Sequence, residues 1–203
     1  MKLVELYGYS CSGKSYKANE IKNKENLDIQ YSNISKKNRF LRLLIKIYYI
    51  FFIKFDDFNF IVNIHKEFKF INLKYKFKNF ISFMYLVGFM RNKIKSNKSL
   101  VIDHGIFQCL FSCFIFSFKK QINYENISNN LIDFFSRFPI NFDYQIICMQ
   151  TNVETIRSRL KENKKNFQLS FLENNEDKIK ETYVNLKKIS KLIKFKNINF
   201  KDI

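Results

Sequence analysis

Short apolar runs bounded by polar residues recur along this chain at residues 2–7, 27–34, 99–103, 143–149 and 194–200, and each predicts a strand. Between them lie longer segments of mixed apolar and charged residues that predict helices. These cover residues 15–22, a long region over 37–95 broken near Asp56-Asp57-Phe58-Asn59, then 105–118 and 125–138, the last stopped by Pro139. Thr151 and Glu154 have the spacing of a capping box and start another helix through Arg157, Arg159 and Leu160. A further helix is expected over 176–192, and the polar residues 162–166 predict a mobile loop. Strands alternating with helices imply an α/β protein in three layers, with a central, mainly parallel sheet of about five strands. Ligands of such a sheet bind at the C-terminal ends of its strands. With one proline and four glycines in 203 residues, no linker is evident, so residues 1–203 are expected to form a single domain.

One apolar run stands apart. Residues 43–53 are flanked by Arg39, Arg42 and Lys54 and contain Lys46. Eleven residues fall short of the roughly twenty that span a bilayer, so a buried helix is expected, with peripheral membrane contact through a basic amphipathic surface as the second reading.

The net charge of +18 is unevenly placed, with 15 basic and three acidic residues between Lys36 and Lys98. Such a surface attracts anions such as nucleotides, nucleic acid or an acidic membrane. The abundance of Lys, Asn, Ile and Phe is also what A/T-rich coding produces, so a solvated lysine-rich face accounts for the charge equally well. Phe68, Phe70, Tyr75, Phe77 and Phe80 are interleaved with the lysines, as a surface for single-stranded nucleic acid or a core face would require. The four cysteines, Cys11, Cys109, Cys113 and Cys148, form no C-x-x-C pair, so zinc binding is not expected; Cys109 and Cys113 fit one helix face. The first strand begins at residue 2, which leaves no room for a signal peptide and makes the reducing cytoplasm the expected compartment.

The chemistry concentrates directly after the first strand. Gly8-Tyr9-Ser10-Cys11-Ser12-Gly13-Lys14-Ser15 is a complete G-x-x-x-x-G-K-[ST] phosphate loop between a strand and a helix. Glycines at both ends let the backbone curl so that successive N–H groups face phosphate oxygens, and the following helix adds its positive end. Lys14 is expected to reach the β- and γ-phosphates of ATP, and the Ser15 hydroxyl to bind Mg²⁺. Phosphoryl transfer also needs a carboxylate to organise the metal. Asp103, at the C-terminal end of the run Leu100-Val101-Ile102, meets that need beside the loop.

Taken together, the loop, the segment 101–108 and the segment 143–160 resemble the P-loop nucleoside and nucleotide kinases, most closely the thymidylate-kinase-like group. The resemblance implies the P-loop NTPase fold, a catalytic role for Lys14, Asp103 and Arg159, and a lid over residues 159–165 that closes on ATP. Two departures stand out. Where that group carries arginine or glutamate after the aspartate, this chain has His104. The second lid arginine is absent, leaving Lys164 or Lys165 as a point charge without bidentate geometry. His104 could serve as a base near neutral pH or simply pack at the turn, and His65 carries no site argument. Arg39, Arg42 and Arg91 fall where the resemblance places an anionic acceptor.

The expected function is ATP-dependent phosphoryl transfer to a small acceptor, a nucleoside monophosphate or a nucleoside. The second reading is a P-loop NTPase contacting nucleic acid or an acidic membrane. An L-S-G-G-Q segment and an N-K-x-D segment are both missing, which disfavours a transporter ATPase and a GTPase.

Overall fold

A computed structural model describes residues 1–29, 38–96, 99–118, 122–139, 141–194 and 198–202. Its sheet is built outward from β1 (Lys2–Tyr7), in which every residue after Lys2 is buried. Burial on both faces suits a central strand. The sheet order is β2 (Asp28–Ile29), β3 (Leu100–Ile102), β1, β4 (Asp143–Cys148) and β5 (Ile198–Asp202), all parallel. The expected five-stranded parallel sheet is therefore present. The second expected strand extended over 27–34, of which residues 30–37 lie outside the described residues, as do 195–197 of the last.

Alternate residues of β1 feed two cores, as the two-residue period of a strand dictates. Val4 and Leu6 pack with Ala18 and Ile21 of α1 (Lys14–Glu25), whereas Leu3 and Tyr7 enter a larger, Phe-rich core on the opposite face.

The expected single helical region over 37–95 is three helices: α2 (Arg39–Ile50), α3 (Phe55–Lys66) and α4 (Leu73–Lys95). The break foreseen at residues 56–59 is instead the start of α3. There Asp56 and Asp57 meet the positive helix end, and the Asp57 carboxylate accepts from the Lys54 backbone N–H at 3.3 Å. Buried Asp57 also takes a bidentate pair from Arg91, at 2.9 Å from Nε and 2.6 Å from Nη2. Removing either partner would strand a buried charge.

The expectation of a buried helix over residues 43–53 does not hold. Only one side of α2 packs, through Ile45 and Tyr49, joined by Ile53 just beyond its end. It approaches α4 so closely at Gly88 that a Cβ there would overlap the Tyr49 carbonyl. The other side stands in solvent. By contrast, three of the five interleaved aromatics belong to the core, Phe68 being buried and Phe70 and Phe80 packing against it, while Tyr75 stacks on Phe116 at 4.3 Å. A nucleic-acid stacking face is not formed by them.

β3 leads into α5 (Ile106–Ile115), whose N-cap is Gly105 and has no side chain to cap the helix. The acceptor comes from another strand. Glu5 Oε1 of β1 accepts the Gln108 N–H at 2.9 Å, and Tyr144 Oη of β4 donates to Glu5 Oε2. Only glycine fits at 105, because a Cβ would overlap the Glu5 carboxyl. Burial pushes Glu5 from the usual 4.5 up to about 7, although its hydrogen bonds from Tyr144 and the helix amides act in the opposite direction.

α6 (Tyr124–Ser136) ends ahead of Pro139, as expected. α7 (Val153–Glu162) is capped by Asn152, whose side chain accepts from the Glu154 N–H at 2.8 Å. The foreseen Thr151 cap is corrected: Thr151 Oγ1 donates to Ser12 O at 2.7 Å instead. After a turn at residues 163–165 the chain forms α8 (Asn166–Asn174), which is not among the expected elements, and then α9 (Glu176–Leu192). Among the described residues no helix is long and apolar enough to cross a membrane.

Candidate active site

The turn after β1 carries out the backbone geometry its glycines allow. Gly8 has φ 148° and Gly13 has φ 94°, and a Cβ on Gly8 would sit 2.7 Å from Met149 O. Between them Cys11 also adopts a left-handed conformation, with φ 63°. The curl is held from outside at three points. The Gly8 N–H donates to Gln108 Oε1 at 3.0 Å, the Tyr9 N–H donates to Tyr183 Oη at 2.9 Å, and Ser12 O accepts from Thr151. Tyr183 in turn donates to Met149 O at 3.2 Å, tying the loop to the end of β4.

Lys14 Nζ is buried in the curl and donates to Gly8 O and Tyr9 O, both at 2.8 Å. Burial pulls its ammonium down to about 8, and the Asp103 carboxylate resists that shift. An anion added to the loop would restore its ordinary basicity. Ser15 Oγ donates to Asp103 Oδ2 at 3.2 Å, so the hydroxyl and carboxylate expected to share a metal are already adjacent. Asp103 Oδ1 lies 3.5 Å from His104 Nδ1.

Two buried oxygens here, Ser12 Oγ and Asp103 Oδ1, make no hydrogen bond among the described residues. Buried polar atoms are ordinarily satisfied, so these two are what a bound phosphate and a hydrated metal ion would complete. No group of three or more His, Cys, Asp or Glu side chains forms a metal cage among the described residues. One carboxylate plus a hydroxyl is a donor set that suits Mg²⁺, which keeps waters and borrows phosphate oxygens.

From α7 and the turn after it, Arg159 Nη1 donates to Cys11 O at 3.2 Å, and Lys165 Nζ lies 3.7 Å from Cys11 Sγ. Both line a cavity of about 680 Å³ that is floored by the phosphate loop; Lys164, with φ 51°, does not line it. The rest of the lining includes Phe111, Phe116, Phe167 and Phe171, together with Gln168 and the Gln108 that meets the loop at the Gly8 N–H.

No protein-family model matches the chain, and no curated protein matches it. Among solved structures, a deoxyadenosine kinase from M. mycoides, with products dCMP and a flexible dCDP bound, aligns with it at a TM-score of 0.50 and 16% identity, covering 100% of this chain and 89% of that chain. The chain has the P-loop kinase fold. Two further structures of that kinase, with bound dATP and with bound dCTP, align at TM-scores of 0.49 and 0.48 and identities of 16% and 15%, each covering 100% of this chain and 90% of that chain.

Within this P-loop kinase fold, the sequence-predicted loop and Arg159 line one cavity at the C-terminal edge of the sheet, and Asp103 adjoins it through its hydrogen bond from Ser15. Two of the three arginines assigned to an anionic acceptor do not join them. Arg91 is committed to Asp57, Arg42 is exposed on α2, and the Arg39 side chain is outside the described residues. His65 is a buried histidine whose Nδ1 lies 2.9 Å from Ile61 O, in keeping with the absence of a site argument. Sequence reasoning missed Thr151, Tyr183, Gln108 and Glu5, which hold the loop or the helix behind it. A threonine directly after a strand end, facing a phosphate loop in a parallel sheet, was the available signal for the first. Tyr183 lies 174 residues from its partner and gave none.

Proposed function

We propose that this protein is a kinase that transfers the γ-phosphoryl group of ATP to a hydroxyl of a nucleoside. The reading is carried by one observation. The cations lining the cavity are Lys14, Arg159 and Lys165, all against the phosphate loop, while the rest of the lining includes four phenylalanines, Phe111, Phe116, Phe167 and Phe171. A triphosphate suits the cations, and a neutral, flat acceptor suits the aromatic residues. With Arg91 locked to Asp57, a monophosphate acceptor has no arginine among the described lining residues beyond Arg159, which favours a nucleoside over a nucleotide.

Bound MgATP supplies the transferable phosphoryl group. The loop amides and the N-terminus of α1 cradle its phosphates, and Lys14 exchanges the carbonyls of Gly8 and Tyr9 for phosphate oxygens. Ser15 and Asp103 would hold the metal. Arg159 and Lys165 offset charge that builds on the transferring group, a positioning and electrostatic role that dominates this chemistry. His104, which lines the cavity, is the group able to take the proton leaving the acceptor hydroxyl.

Support for kinase chemistry also comes from the fold, which is shared with a deoxyadenosine kinase. The test is a panel of ribo- and deoxyribonucleosides, their monophosphates and sugars, each with ATP and Mg²⁺, with phosphorylated product measured. Nucleosides should be phosphorylated and monophosphates should not. Turnover of ATP independent of every acceptor would replace this reading with that of an NTPase.

A further inference from the structure

α2 presents two faces with different chemistry. Ile45, Tyr49 and Ile53 fix it to α4, and the tight approach at Gly88 keeps it there. On the opposite face Phe40, Leu43, Leu44, Ile47, Tyr48 and Phe51 stand at i, i+3, i+4, i+7, i+8 and i+11, and their exposure runs from 43% at Ile47 to 82% at Phe51. This spacing builds one continuous stripe along the helix rather than scattered apolar residues. A stripe of this kind on a soluble face marks a docking surface.

The charge around the stripe selects its occupant. From Lys36 to Phe55 the chain has six basic residues, Lys36, Lys37, Arg39, Arg42, Lys46 and Lys54, and no acidic one. In α2 itself Arg42 is exposed, whereas Lys46 turns toward α4, its Nζ 5.9 Å from the Tyr85 ring. A second copy docked helix to helix would bring two such basic segments together with no carboxylate on either helix to offset them. Single-stranded nucleic acid would want aromatic stacking, yet the centre of the stripe is aliphatic: Leu43, Leu44 and Ile47. Aliphatic side chains on a segment of uniformly basic charge, with Phe40, Tyr48 and Phe51 among them, match the boundary between acyl chains and anionic headgroups.

From this juxtaposition we infer that α2 is a peripheral membrane anchor that lies in the surface of an anionic phospholipid bilayer. It holds the kinase-like domain at the membrane without crossing it. The inference does not depend on which acceptor the active site takes, since α2 contributes no residue to the cavity.

The experiment is co-sedimentation of the full chain with vesicles of phosphatidylcholine alone and of phosphatidylcholine mixed with phosphatidylserine. Binding is expected only to the mixed vesicles, weakening as salt is raised. The double variant Leu44→Asp/Ile47→Asp should reduce the bound partition coefficient at least about tenfold. Arg42→Glu should reduce it less, while circular dichroism and ATP binding stay unchanged in both. Equal binding to neutral vesicles would overturn the assignment to anionic lipid. Absence of vesicle binding would overturn the proposal outright, whether sedimentation velocity shows a dimer that the double variant dissociates or an oligonucleotide proves to be the ligand.

Discussion

Glu5 offers a direct test of the buried network beneath the phosphate loop. In the unfolded chain its carboxyl loses its proton near 4.5, whereas in the fold burial holds the proton up to about 7. Between those values the folded protein carries the extra proton, so stability falls as pH rises through the window and then levels off. The interval corresponds to about 3 kcal/mol of stability lost by neutral to alkaline pH. Glu5→Gln keeps the shape and an acceptor for the Gln108 N–H, and the Tyr144 hydroxyl can turn to accept from the introduced amide. The substitution adds a constant offset from its altered hydrogen bonds, but it removes the titration. Urea unfolding of both proteins from about pH 4 to about pH 8 should therefore show their stability difference drifting by about 3 kcal/mol in favour of the variant. His65, held below its ordinary 6.5 by burial, contributes with the opposite sign in part of this range and cancels in the comparison. Parallel stability curves across the whole range would refute a desolvated, titrating Glu5.

Asp103→Asn removes charge from the proposed metal position while retaining an oxygen for Ser15, so Mg²⁺-dependent turnover should fall by roughly two to three orders of magnitude with unchanged circular dichroism; full activity would move the role elsewhere. Thr151→Val deletes the hydroxyl that holds Ser12 O, and it should cost about 1 kcal/mol in chemical unfolding and raise the KM for ATP more than it lowers kcat. An unchanged KM would separate Thr151 from loop positioning. Limited proteolysis within residues 159–165 should slow on adding a nonhydrolysable ATP analogue with Mg²⁺, because Arg159 and Lys165 already contact Cys11 of the loop. Cleavage that ignores saturating ligand would make this segment an ordinary connection.

Elements whose signals are local were readable from the chain. The phosphate loop, the strand before it and the strand that ends at Asp103 each follow from a few adjacent residues. The three-layer architecture follows from their alternation. Where tertiary packing decides, the reading failed in specific ways. Asp56 and Asp57 looked like an interruption because charge at a helix start and charge in a loop are alike in sequence; the partner that buries Asp57, Arg91, lies 34 residues away. The run at residues 43–53 looked like core because apolar density says nothing about which side finds a neighbour. α8 went unread because Phe167, Leu169 and Phe171 alternate with polar residues as in a strand, and only Leu172 of that helix is buried. At the site, the loop and its carboxylate were legible, but Thr151 was mistaken for a cap. Asn152 took that role one position on, which freed the hydroxyl for the loop.

The position of Cys11 gives the protein an intrinsic reporter. Cys109, Cys113 and Cys148 are buried, and burial pushes all three thiols up, Cys148 to about 11, so their thiolates are scarce at neutral pH. Cys11 is partly open to solvent, its carbonyl is held by Arg159, and its sulfur lies beside Lys165. A fluorophore or an alkylating reagent would thus be directed to one atom at the mouth of the nucleotide cavity, with no cysteine needing to be engineered in or out. The rate of that labelling converts occupancy of the loop into an optical signal measurable in real time, even before any acceptor is known.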